Sequence, residues 1–169
     1  MSSGTDGVVI HEIPPVFDEN SEVLILGSFP SVKSREGRFF YHHPRNRFWK
    51  VLTAVFGEGE PEPETIEEKK AFLLAHRVAV WDVIASCEIQ GSSDSTIKHV
   101  VPNDLSPILQ TADIRKILCN GGTAYALYEK YLKEQTGREA VRLPSTSPAN
   151  AACSLEQLTA QWKAAIFSQ

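Results

Sequence analysis

Four short apolar runs punctuate the chain, and the stretches between them are either polar or repeat their apolar residues at helical spacing. Val23-Leu24-Ile25-Leu26 is the first run and stops at Gly27. Its continuity, without polar alternation, predicts a strand covered on both faces, as in a parallel sheet. Val78-Ala79-Val80-Trp81, followed by Asp82, predicts a second such strand. Ile114 to Cys119 predicts a third, ending at Asn120-Gly121-Gly122, and Ala140 to Leu143 a short fourth. Phe48, Leu52, Val55 and Phe56 share one helical face, with Asn46 placed to cap that helix. Further helices are expected over 65–76, near 105–110, over 123–135 with Gly137 as its stop, and from a Ser154/Gln157 capping box to Phe167. Residues 1–20, with Pro14-Pro15, read as an irregular N-terminal arm, and 21–169 as one domain. Residues 27–46 and 86–104 read as long polar connections, a kind of loop that is commonly functional.

Strands alternating with helices give an α/β fold, a three-layer α/β/α arrangement around a mainly parallel four-stranded sheet. Open α/β sheets bind ligands beyond the carboxyl ends of their strands. Those ends carry GSFPS, WDVIASCE, CNGG and LPSTSPAN, so four small or polar loops converge on one edge.

Composition narrows the class. With 169 residues, 42% of them hydrophobic, the chain buries a core without staples. No apolar run approaches the ~18 residues of a membrane span, and the N-terminus lacks the basic-then-apolar pattern of a secretory signal. Cys87, Cys119 and Cys153 match no metal-binding spacing. Cys87 and Cys119 lie in apolar settings and read as buried, inert thiols. The expectation is a cytoplasmic protein without metal or cofactor.

The net charge of −4 argues at first against a nucleic-acid partner, but its distribution reverses that inference. Residues 31–50, SVKSREGRFFYHHPRNRFWK, carry +5 before histidines are counted, which leaves −9 on the rest. Lys33, Arg35, Arg38, Arg45 and Arg47 are interleaved with Phe39, Phe40 and Tyr41. Basic side chains neutralise phosphates and aromatic faces take up unstacked bases. The three aromatics either stack on a base or anchor the loop to the core. The six glutamates between Glu58 and Glu68 read as a solvated face turned away from any phosphate.

GSFP (27–30), His43-Pro44-Arg45-Asn46-Arg47-Phe48-Trp49-Lys50, Trp81-Asp82-Val83 followed by Gly91-Ser92-Ser93-Asp94-Ser95, and the Pro144–Asn150 loop together resemble the uracil-DNA glycosylase superfamily. The likeness runs along most of 22–152 and is nearest to the hypoxanthine-DNA glycosylase branch. It implies a uracil-DNA glycosylase-like fold and a monofunctional DNA N-glycosylase that hydrolyses the glycosidic bond of a deaminated base, hypoxanthine foremost. The implied partner is double-stranded DNA containing a damaged base, bound by a monomer. The alternatives are a mismatch-specific uracil/thymine glycosylase and a non-catalytic DNA-binding or damage-sensing module. One departure stands out: Phe29 occupies the place where the superfamily usually keeps a polar water-positioning residue, and the hypoxanthine branch relies instead on an asparagine that matches Asn46.

The candidate roles follow. Asn46 is either a plain helix cap or, as the resemblance implies, the group that orients a water or a purine edge. His43 donates a proton or contacts a phosphate. Asp94 either forms an Asx-turn or stabilises the departing sugar cation. Phe29, Phe39, Phe40 and Tyr41 are the base-binding set. Ser28, Ser31, Ser145, Ser147 and Asn150 join the basic residues as DNA contacts, and Pro148 or Ala149 either wedges into the duplex or forms a rigid turn.

Overall fold

The computed structural model describes residues 7–57 and 59–168. Its centre is a four-stranded, all-parallel sheet of β2 (Val23–Gly27), β3 (Val78–Asp82), β6 (Lys116–Asn120) and β7 (Val141–Leu143), in the order β3-β2-β6-β7. The chain goes first to one side of β2 and then to the other, so the strand order switches direction at β2, where such sheets open a crevice.

Alternate residues of the buried strands feed two cores. Ile25, Val80 and Leu118 pack with α2 (Phe48–Phe56), α3 (Ile66–Ala75) and α7 (Leu155–Phe167). Leu24, Leu26, Ile117 and Cys119 pack with α4 (Ser106–Thr111) and α5 (Gly122–Tyr131) on the other face. The three-layer arrangement is therefore as expected. The capping boxes at Thr65/Glu68 and Ser154/Gln157 both form, and Gly137 adopts the left-handed conformation that ends α6 (Lys133–Thr136). Cys87 and Cys119 are buried, and burial pushes the Cys119 thiol up to about 12. Cys153 is only half-buried.

Three segments differ from the expectation. The supposed arm contains β1 (Val8–Ile10), which pairs antiparallel with β4 (Ile84–Glu88), and Val16 bridges to Val80. The connection 86–104 supplies most of β4, a 3-10 turn at Asp94–Thr96 and β5 (Lys98–Pro102), which completes a second, three-stranded sheet β1-β4-β5. These strands are short, half-exposed and interrupted by Pro102 and a left-handed His99, so no apolar run announces them. The connection 27–46 holds α1 (Val32–Gly37), a polar single-turn helix capped by Ser31, whose hydroxyl accepts from Ser34 N–H.

Candidate active site

A cleft of about 140 Å³ opens where the carboxyl ends of all four parallel strands meet. Its walls come from Gly27 to Ser31 after β2, Asp82 at the end of β3, Asn120 at the end of β6 and Ser145 to Ser147 after β7. Asn46 and Asp94 complete it. Pockets that take drug-sized ligands exceed ~300 Å³; this one suits a single planar ring system.

The amide of Asn46 is locked. Its Oδ1 accepts from Phe48 N–H at 2.9 Å and from the Thr146 hydroxyl at 2.8 Å. A backbone N–H can only donate, so the atom facing it must be the oxygen, and the orientation of the amide is fixed. The Nδ2 group is left as a donor at the cleft wall. Thr146 is fully buried and is held in turn by Asn120, which accepts from its N–H and donates to its hydroxyl, both at 3.0 Å. The N-cap of α2 is Arg47, which makes no side-chain cap hydrogen bond, so Asn46 is not the cap residue that was expected; it stands one position earlier, accepts from the first helical N–H and lines the site.

Asp94 joins the cleft from the GSSDS loop. Val32 N–H donates to Ser92, Arg35 donates to Gly91 O, and Ser28 donates to Asp94 at 3.3 Å, which together dock this loop on α1. Desolvation raises the Asp94 carboxyl above the ordinary aspartate range, against the lowering hydrogen bonds of Ser28 and Thr123, while the charge of Asp82 raises it further.

The other expected site residues divide. Phe29 and Phe40 are buried and wall the cleft, but Phe39 does not reach it. Phe39 packs against Trp49 and Phe40 in the core, so the stacking role expected for it falls away. The Tyr41 ring stacks on Phe48 at 3.9 Å and meets the cleft with its hydroxyl end, not with a free face. His43 lies off the cleft wall and shapes the turn, its Nδ1 accepting from Arg45 N–H.

Arg47 is a clamp rather than a phosphate contact. Its guanidinium donates to the carbonyls of Ser147, Asn150 and Cys153 and so braces the loop after β7. Asn150 closes the same loop by donating to Ser145 O. Ser145 and Ser147 accept loop N–H groups and keep their own protons for an incoming acceptor. Pro148 and Ala149 are exposed at the tip. Ser31 is spent on capping α1, and Lys33 approaches Glu36 at 3.9 Å. Lys50 pairs with Glu62, so among the described residues the acidic run touches the basic segment through this ion pair. Among the described residues, Arg38 and Arg45 are exposed and have no carboxylate partner.

Phosphate neutralisation is accordingly expected from Arg38 and Arg45. Arg38→Ala and Arg45→Ala should each lower the salt slope of DNA affinity by about one. Arg47→Ala should instead lower the unfolding midpoint.

Sequence reasoning placed the strand ends that carry Asp82, Asn120 and Thr146 at this edge but gave these three cleft residues no role. The available signal was their position, since each is a polar residue at or just beyond the end of a buried apolar strand.

The uracil DNA glycosylase superfamily model matches residues 14–169. The chain belongs to that superfamily. Two of its similar superfamily relatives are named hypoxanthine DNA glycosylase. The protein from Methanosarcina acetivorans is 37% identical over 138 residues, covering 81% of this chain and 85% of the relative. The one from Methanosarcina barkeri is 34% identical with the same coverage. The solution NMR structure of a uracil-DNA-glycosylase-like protein from Methanosarcina acetivorans matches with a TM-score of 0.73 at 35% identity, over 89% of this chain and 94% of that one. The superfamily fold thus places its strand ends where the cleft lies, with Phe29 as an apolar wall at the turn after β2.

Proposed function

We propose that the protein is a monofunctional DNA glycosylase that hydrolyses the N-glycosidic bond of hypoxanthine flipped out of double-stranded DNA. The relatives of that name support the substrate class. The observation that carries the reading is the locked Asn46 amide, whose donor faces a cleft sized for one base.

A base inside a duplex is out of reach, so it must leave the stack first. Breaking the bond between C1′ and the purine leaves an oxocarbenium-like sugar, and the electron pair goes to the base. Water then adds to C1′, and the proton it loses passes to the departed purine anion, giving neutral hypoxanthine and the abasic sugar. Phe29 provides no acid or base for this. Asn46 Nδ2 donates to the water oxygen or to an acceptor on the purine, a preorganised donor of the kind that lowers such barriers most. Ionised Asp94 faces the cationic sugar.

Two measurements test this. Duplexes carrying hypoxanthine, uracil, xanthine or thymine, at enzyme excess, should release hypoxanthine fastest. Release of uracil alone would move the protein to the mismatch-specific class, and release of no base would leave a DNA-binding module. The rate should also fall on the acid side at a pH above the ordinary aspartate value, because the useful form of Asp94 is the ionised one and its carboxyl is raised. Ser28→Ala removes a lowering hydrogen bond, so that acid limb should move to still higher pH.

A further inference from the structure

His11 lies just past β1, before residue 14 where the superfamily match begins, and packs behind the cleft against Asp82 and Phe29, which line it. Its Nε2 is 2.8 Å from Asp82 Oδ2, and the two side chains are 1% and 5% exposed. Its Nδ1 accepts from Ile13 N–H, so the ring proton sits on Nε2 and is donated to Asp82. Phe29, Phe40 and Trp81 surround the ring and fix its plane. Asn103 holds the Asp82 backbone from the other side by donating to its carbonyl at 2.9 Å.

One carboxylate oxygen of Asp82 is thereby occupied. The other, Oδ1, stands directly over Gly27, where a Cβ would collide with it and lie 3.0 Å from the Tyr41 hydroxyl. Tyr41 lines the cleft, and its hydroxyl is shielded from solvent and, among the described residues, has no hydrogen-bond partner. Burial, and then the Asp82 charge, keep the phenol protonated, against a weaker lowering contact from Asn120. A buried orphan donor is costly unless something completes it. The cleft floor therefore presents an oriented acceptor and an unsatisfied donor side by side.

We propose that His11 is a positioning residue: it holds Asp82 so that Oδ1 accepts the ring N–H of a lactam base while the Tyr41 hydroxyl donates to the adjacent carbonyl oxygen. This deepens the hypoxanthine reading and rests on it. Hypoxanthine offers N1–H beside O6. Adenine offers an acceptor at N1, which sets a lone pair against Asp82 Oδ1, and an amine that cannot accept the Tyr41 proton. Sites built around buried polar pairs reject such analogues strongly.

Single-turnover release from duplexes containing hypoxanthine or nebularine, the purine lacking both N1–H and O6, tests the proposal. His11→Phe fills the ring volume without a donor, and His11→Gln restores an N–H near Nε2. We expect His11→Phe to lose about 10- to 100-fold on hypoxanthine, the usual cost of removing an orienting partner. Its nebularine rate and its affinity for abasic-site DNA should stay unchanged, and His11→Gln should recover most of the hypoxanthine rate. If His11→Phe does not fold, Asp82→Asn should likewise lose hypoxanthine release, because His11 would hold the amide oxygen and turn the NH₂ toward N1–H, while release of nebularine, whose N1 accepts from that NH₂, should not fall. Equal losses on both bases, or a wild-type hypoxanthine rate in either folded variant, overturn the proposal while leaving the glycosylase reading intact. A wild-type protein that releases no hypoxanthine overturns both.

Discussion

Asn46→Ala is expected to slow base release by about 10²- to 10³-fold, the range for deleting one preorganised donor at a reacting centre. Binding to damaged duplex should persist, because Arg38 and Arg45 are untouched. The variant also loses the hydrogen bond from Phe48 N–H, worth ~1 kcal/mol of stability. That is far too little to unfold a protein with the usual 5–15 kcal/mol of stability, so rate and stability should separate clearly. Thr146→Val refines the test. It keeps Asn46 in place but removes the hydroxyl that fixes its amide, and should cost about 10- to 100-fold in rate. An Asn46→Ala protein with wild-type base release would show that the asparagine only braces the start of α2.

The largest effect on stability is expected at Trp162. It is fully buried in α7, edge-on to Phe48 at 6.1 Å, and its indole N–H donates to Pro144 O at 3.0 Å. The residue therefore supports from below the loop that carries Ser145 to Asn150. Trp162→Ala opens a cavity in the core and should cost about 3–5 kcal/mol. For a domain of this size that lowers the melting temperature by roughly 10 °C. Trp162→Phe keeps most of the packing and loses only the hydrogen bond, so its shift should be much smaller. Equal shifts for the two would place the stabilisation in the hydrogen bond rather than in the ring.

The central sheet was legible in the sequence because strands buried on both faces leave unbroken apolar runs: VLIL and VAVW have no other reasonable reading. The second sheet was hidden because IASCE and KHVVP mix polar with apolar residues, their pairing is irregular, and the third strand, Val8–Ile10, is only three residues long and distant in sequence from its partner IASCE. The cleft was partly legible. Asn46 and Asp94 stood out because HPRNRFW and GSSDS resemble motifs of the superfamily; their residue types alone fit a helix cap and an Asx-turn as well. Phe39 and Phe40 look identical in sequence, and only packing separates the core residue from the cleft wall. Arg47 shows the same limit for charge, since a guanidinium spent on carbonyls and one open to phosphate have the same one-letter code. His11 was invisible because its partner lies 71 residues away and its own neighbourhood has no periodicity.

The chain of hydrogen bonds from Asn120 through Thr146 to Asn46 has a kinetic consequence. Asn46 and Thr146 are 100 positions apart, and Thr146 becomes available only once β7 has docked beside β6. Contacts of such sequence separation form late, after the entropy of closing the intervening chain has been overcome. During refolding, helix content should therefore return before base release does, and the enzymatic signal would report the final step of assembly.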